Sequence, residues 1–226
     1  MAGSSIPLTV RTPLLEIPFN AEIEHAVVLG YGDLDAYGFH TLEALQCMLE
    51  RRKGGETGIR SVEWLEGEAV WKWRDGAGRW SIPLLQAALA TYPSPNAGRP
   101  EENARRPVAF LLQYQDGLQA AAYMLEGHVN NWSFACKRKG QDETAATFFG
   151  PGPNAKAREL PHFDGLVHCA EEMFITGKPL YPVERTLLTT CTLSMLFESR
   201  AWKKRIETPE LNIAYRVPRD TYFQRA

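Results

Sequence analysis

The chain has 226 residues, is 44% hydrophobic and 23% charged, and carries a formal charge of −2. That composition supports a soluble globular protein with a sizeable core, and the near-neutral balance gives none of the basic footprint of a nucleic-acid binder. No run of about 18 apolar residues is present, so no membrane-spanning helix is expected.

Residues 1–20 carry Pro7, Pro13 and Pro18 without a regular period. They read as an irregular extension over the surface or along a sheet edge, because proline cannot donate to a central ladder. They also lack a basic segment followed by a continuous apolar one, so no secretory signal is expected. Cys47, Cys136, Cys169 and Cys191 lie far apart in apolar patterns, as reduced core thiols do, and a cytoplasmic location is the expectation.

The stretch 22–52 reads as a strand, a glycine turn and a helix. Leu42, Leu45 and Leu49 recur at helical spacing and predict the buried face. His40, Glu43 and Cys47 share another stripe. After Gly54-Gly55 the alternation of IRSVEWL, residues 59–65, predicts a strand. The segment 67–80 holds Trp71, Trp73 and Trp80 around a DGAG turn, and Ser81 opens a short helix. The proline-rich polar segment 93–107 predicts an exposed loop. Strands at 108–114 and 118–125 flank Asp116-Gly117, a hairpin signal, and 132–138 with 144–149 form a second pair in a four-strand meander. GPGPN, residues 150–154, ends it.

Phe163, Leu166, Val167, Ala170, Met173 and Phe174 predict one buried stripe on a helix over 161–176. A second helix follows Pro182, with Leu187, Leu188, Cys191, Met195 and Leu196 inward, then a short strand near 211–215 and a polar tail. The order implies a single α+β domain over 1–226: an open, largely antiparallel sheet with helices packed on one face.

Gly30-x-Gly32 follows a strand, but a dinucleotide fingerprint has glycine or alanine where Asp35 stands, whose charge repels a pyrophosphate. In Gly150-x-Gly152-x-x-Ala155 the prolines remove phosphate-binding donors, and Gly54-Gly55-Glu56-Thr57-Gly58 lacks the Lys-Ser/Thr of a P-loop. His162, His168, Cys169, Glu171 and Glu172 form the only dense group of potential metal ligands, without HExxH or paired CxxC spacing, and read as a polar helix face. The Lys137-Arg138-Lys139 run reads as a solvated hairpin tip. Asp33, Asp35 and His40 remain. A helix start favours a neutral imidazole able to accept a proton, nearby carboxylates orient the ring, and Gly30, Gly32 and Gly38 allow close approach of a ligand. His40, with Asp33 and Asp35 beside it, is thus where chemistry is expected. Tyr37 and Glu43 on the same helix, and His128 after a strand, are the expected substrate contacts.

Asp35-Ala36-Tyr37-Gly38-Phe39-His40-Thr41-Leu42-Glu43 resembles the D-x-G-x-H-x-x-D helix in the C-terminal, substrate-binding domain of Gfo/Idh/MocA-type oxidoreductases. The run TGKPLYPVERTLLTTCTLSMLFESRAWKKRIETPELNI is similar to the closing helix and strand of that domain. Ala36 stands where the first family aspartate falls, with Asp35 one place earlier, and Glu43 replaces the second. The resemblance implies a sugar, polyol or similar hydroxylated ligand, with His40 as proton acceptor and Asp35 as its orienting carboxylate, the catalytic pair, while hydride passes to a nicotinamide. It also implies a lysine in a Glu-Lys-Pro motif and a nucleotide from an N-terminal Rossmann domain, neither of which this sequence contains. The expectation is a substrate half binding no cofactor by itself, with NAD(P) supplied through a Rossmann partner. A natural standalone chain, a separate Rossmann chain and a reading frame shortened upstream of Met1 stay open. The competing expectation is a non-catalytic assembly module, a homo-oligomer formed through a sheet face bearing Phe110, Leu112, Tyr114 and Tyr123.

Overall fold

In the computed structural model, residues 2–94, 96–151 and 161–219 are described. Strand β2 (Ile23–Gly30) is central, with Ala26, Val27, Val28 and Leu29 fully buried. A strand covered on both faces carries a continuous apolar run rather than an alternation, and AVVL is such a run. Around it stand β1 (Arg11–Thr12), β3 (Ile59–Glu66), β4 (Val108–Tyr114), β5 (Gln119–Met124), β6 (Ser133–Arg138), β7 (Thr144–Phe149) and β8 (Ile206–Glu207). The eight-stranded order is β1-β7-β6-β2-β5-β4-β3-β8; β2 and β5 run parallel and every other pair is antiparallel.

The α+β class and the mostly antiparallel open sheet agree with the sequence reading. The meander does not survive as one unit, because β2 inserts between β5 and β6. Hairpin signals are local, whereas this parallel pairing joins residues far apart in the chain. The β4–β5 hairpin forms as read, with Gly117 at φ +93° and Asp116 Oδ1 accepting the Leu118 N–H at 3.2 Å.

Helices α1 (Ala36–Leu49) and α6 (Glu184–Trp202) pack on the face that carries Ala26, Val28, Phe110 and Ala122. The opposite face is not left bare: α3 (Ser81–Ala90), preceded by α2 (Glu68–Asp75), sets Leu84, Leu85 and Ala88 against Val27, Leu29, Ala121 and Tyr123. The expectation of helices on one face is corrected accordingly. Phe110, Leu112, Tyr114 and Tyr123 lie beneath these layers at no more than 4% exposure, so the sheet face expected to meet a second copy is covered by the chain itself.

Other departures are local, and the proline-rich segment carries a short helix, α4 (Pro100–Asn103). Trp71 and Trp73 sit on α2, a helix that the tryptophan-rich sequence around the DGAG turn does not predict. Ser81 starts α3 with its hydroxyl on Gly78 O and the Tyr123 hydroxyl, both at 2.7 Å. The strand expected near 211–215 is a 3-10 turn at Pro209–Leu211 and one bridge from Tyr215 to Glu56. The N-terminal extension supplies edge strand β1, yet Ile6, Leu8 and Ile17 are buried, so it also belongs to the core.

Helix α5 (Pro161–Thr176) turns a different stripe inward. Gly165 lies so close to Leu8 that a Cβ there would sit 2.7 Å from its carbonyl oxygen, and Cys169 is buried beside it. Phe163, Val167 and Phe174 are exposed, as is Leu187 on α6. Most of GPGPN and the end of the polar tail lie outside the described residues. Among the described residues no helix is long and apolar enough to cross a membrane. All four cysteines are free.

Candidate functional site

The turn from β2 into α1 is built by two carboxylates. Asp33 Oδ1 accepts the N–H groups of Asp35 and Ala36, each at 2.9 Å, satisfying donors that the helix start leaves open. Glu126, just past β5, accepts the Gly32 N–H at 2.7 Å. These bonds fasten the carboxyl ends of the parallel pair β2 and β5, the place where open sheets form ligand crevices. They also occupy the very donors that a dinucleotide turn offers to a pyrophosphate, so this turn does not fit a nucleotide.

Beside the turn an aromatic group gathers. Tyr37 stacks on Trp132 with ring centres 5.6 Å apart, and Tyr31 lies 5.0 Å from each of them. Burial and the neighbouring Tyr37 hydroxyl raise the Tyr31 pKa. Thr41 holds the assembly: its hydroxyl donates to Tyr37 O at 2.7 Å and accepts the Trp132 Nε1–H at 3.0 Å. His40 meets this group edge-on, 5.9 Å from Trp132 and 6.1 Å from Tyr37. It is half-buried, and its Nδ1 lies 2.7 Å from Ser4 Oγ.

Asp35 is exposed and lines a cleft of about 680 Å³, together with Gly32, Glu66, Arg105, Arg106 and Glu126. Met124, Val108 and Phe197 form its apolar part. Arg200 in the same wall pairs with Glu66 at 3.3 Å. Asp35 thus faces the cleft, while His40 is engaged by Ser4; Gly32 joins the two regions, since it borders the cleft and packs against the Tyr37 ring.

Tyr37 and His40 are brought together. Glu43 is fully buried beneath them: Oε1 accepts the Thr189 hydroxyl at 2.6 Å and Oε2 the Ser4 N–H at 3.4 Å. Burial, opposed by Arg185 and these hydrogen bonds, raises its pKa. His128 is buried elsewhere, with Nδ1 3.0 Å from Asn103 Nδ2 and its carbonyl accepting from Asn96 at 2.6 Å. Those contacts pin the proline-rich loop, and burial lowers the imidazole pKa. Sequence reading missed Tyr31, Trp132, Glu126 and Ser4. The two aromatics flank strand ends, the one available signal; nothing in spacing connects Ser4 to His40. His168 and Glu171 are exposed on α5, the His162 side chain lies outside the described residues, and no metal-holding group of His, Cys, Asp or Glu occurs among the described residues.

No protein-family model and no curated protein matches the sequence. Solved structures do match in fold. Levoglucosan dehydrogenase in complex with NADH and levoglucosan aligns with 84% of this chain and 60% of its own, at 11% identity and a TM-score of 0.51. GenD2 from gentamicin A biosynthesis, in complex with NAD, aligns over 84% and 56% at 13% identity and a TM-score of 0.50. Apo scyllo-inositol dehydrogenase from Lactobacillus casei aligns over 83% and 56% at 10% identity and a TM-score of 0.50. The chain therefore spans 56–60% of the length of these structures. The resemblance to Gfo/Idh/MocA-type oxidoreductases holds in the fold.

Proposed function

We propose that this chain is the substrate-binding half of a Gfo/Idh/MocA-like NAD(P)-dependent oxidoreductase acting on a sugar, polyol or similar hydroxylated compound. The observation that supports it most is the position of His40: on this fold, in the first turns of the helix that follows the parallel strand end, beside the aromatic group, with Asp35 at the start of the same helix lining an open cleft. A hydroxylated ring suits such surroundings. Its C–H faces pack on tyrosine and tryptophan edges, while its hydroxyls bond to Asp35 and the cleft arginines.

In this reading His40 accepts the proton of the reacting hydroxyl, and Asp35 orients the ligand or the ring from the cleft side. Tyr37 shapes the ligand wall. Glu43 and His128 serve from inside, the first by holding the floor of the site and the second by fixing a loop. The nicotinamide, when bound, supplies the hydride acceptor; with the Gly32 turn already filled by carboxylates, it belongs to a separate Rossmann unit. Reaction requires atoms held within about 3–3.5 Å, so this polypeptide alone does not turn over.

Calorimetry of the purified chain with a panel of cyclic polyols and sugars tests the reading. Saturable binding, retained in His40→Asn, is expected. An intact fold that binds none of them overturns it. The second reading, an assembly module, draws on exposed Phe174, Ile175, Val183 and Leu187 rather than on the sheet. A concentration-independent oligomer that ignores polyols would favour it.

A further inference from the structure

We propose that the hollow beside Trp73 and Trp80, on the sheet face opposite the His40 helix, is a binding site for a single sugar ring. It is separate from the site of the function proposed above and does not rest on it.

Helix α3 seals that face over Val27, Leu29, Ala121 and Tyr123. Toward the amino ends of β2 and β5 the next row changes character. There His25, Gln119, Gln113 and Ser61 stand side by side on β2, β5, β4 and β3. A sheet covered on both faces carries apolar residues in such a row. Here Gln119 Nε2 donates to Gln113 Oε1 at 3.2 Å, and Gln113 Nε2 donates to Gly117 O at 3.1 Å. The two amides, with Glu63, Trp73, Trp80 and Arg205, line a cavity of about 290 Å³. That is the lower end of the range for small-ligand sites, about 300–1,000 Å³, and suits one ring rather than a chain of them.

The aromatic wall is held in place. Trp73 and Trp80 meet edge-to-face, with ring centres 5.9 Å apart and planes at 88°. His25 stacks on Trp80 at 4.5 Å, and a Cβ on Gly78 would lie 2.5 Å from the Trp73 ring. Two perpendicular indoles, each backed on one side, do not sandwich a flat base. They form a corner that the C–H groups of a puckered ring fill.

The polar groups around that corner are mixed in kind. Among the described residues, the indole N–H groups of Trp73 and Trp80 donate to no partner and the Glu63 carboxylate accepts from none. Arg205 Nε lies 3.8 Å from Glu207, beyond hydrogen-bond distance. A hydroxyl both donates and accepts, so several on one ring satisfy donors and acceptors together. A phosphate would meet the Glu63 charge, and an apolar ligand would bury the carboxylate and the amides without partners.

Proton–nitrogen correlation spectra of the intact chain test this through the indole N–H signals, those of Trp73, Trp80 and Trp132 being assigned with Trp73→Phe, Trp80→Phe and Trp132→Phe. The probes are glucose, galactose, mannose and myo-inositol. The expected result is a saturable shift of the Trp73 and Trp80 signals with at least one of them. Gln119→Leu should weaken that binding about tenfold, the loss of one or two hydrogen bonds. No shift of these signals with any probe, or binding unaltered in Gln119→Leu, overturns the proposal. A shift of the same signals on dilution without sugar also overturns it and assigns the face to a second copy. Should Gln119→Leu not fold, the titration of the unmodified chain still decides. Trp132, bonded to Thr41 beside His40, reports the other site. A shift of Trp132 alone would sink this inference and leave the proposed function standing, and a shift of Trp73 and Trp80 alone would do the reverse.

Discussion

Arg185 of α6 and Glu50, the residue that closes α1, form a two-bond ion pair sealed inside the molecule. Arg185 Nε donates to Glu50 Oε2 at 2.9 Å, and Nη2 donates to Oε1. The Tyr215 hydroxyl adds a third donor to Oε2 at 2.9 Å, and the guanidinium lies 4.4 Å from the Tyr181 ring centre. The pair joins the helices that together cover one face of the sheet, so both the fold and the floor of the His40 site depend on it. Removing one partner strands a buried charge, which costs about 3–5 kcal/mol, whereas replacing both is far milder. Arg185→Leu should therefore lose that much in urea unfolding, and Arg185→Leu with Glu50→Leu should recover most of it. Additive losses would show that the pair is not coupled.

How much of this was legible beforehand depends on the range of each interaction. Leucines 42, 45 and 49 read as core and are core, because one helix carries the whole signal. The Asp116-Gly117 hairpin was equally local. The place of β2 between β5 and β6 was not, since an apolar run records burial on two faces but not the identity of its neighbours. The stripe on α5 failed for a related reason. Composition gives Phe163, Val167 and Phe174 as inward, but Gly165 is the residue that lets the helix approach Leu8, and it sets the rotation. At the site, His40 and Tyr37 could be read from the helix they share. Trp132 and Ser4 arrive from distant strands and straps, and no periodicity reports them.

The thiols should report the burial of the core directly. Burial pushes Cys47 up to about 11 and Cys136 up to about 12, and it raises Cys169 as well. The reactive species is the thiolate, so these three should resist a disulfide reagent at neutral pH. Cys191 is only partly covered. One equivalent should react readily in the native protein and all four in denaturant. Rapid reaction of a second or third would contradict the packing of α1 or β6.

Glu43 should give stability a particular pH dependence. Its folded pKa is raised, so the native state binds a proton more tightly than the unfolded chain does. The sign follows: stability is greatest below the ordinary glutamate range and declines as pH rises through the raised folded value. Glu43→Gln removes this titration and should flatten that part of the curve, whatever its effect on absolute stability. Unfolding free energies measured across the acid-to-neutral range check it; an unchanged slope in the variant would show that Glu43 is not the group responsible.

The last prediction concerns Gly30, where the end of β2 meets α1. A Cβ built there would lie 2.1 Å from Thr41 Oγ1 and 2.9 Å from its methyl carbon. Thr41 cannot swing aside without cost, since its hydroxyl joins Tyr37 O to the indole of Trp132. Gly30→Ala should therefore overpack the site and destabilise the protein by about 1–3 kcal/mol. Thr41→Ala alone loses the indole's buried hydrogen bond, a cost of similar size. In the double variant the second alanine removes the atoms that the first would strike, leaving Met124 Sδ at 3.0 Å as the nearest remaining contact. Contacting residues couple, so the two losses should sum to less than their separate values. Thermal or urea unfolding of the four proteins measures the coupling. Strict additivity would mean that Gly30 and Thr41 do not share that space, and that the aromatic wall beside His40 is held by something else.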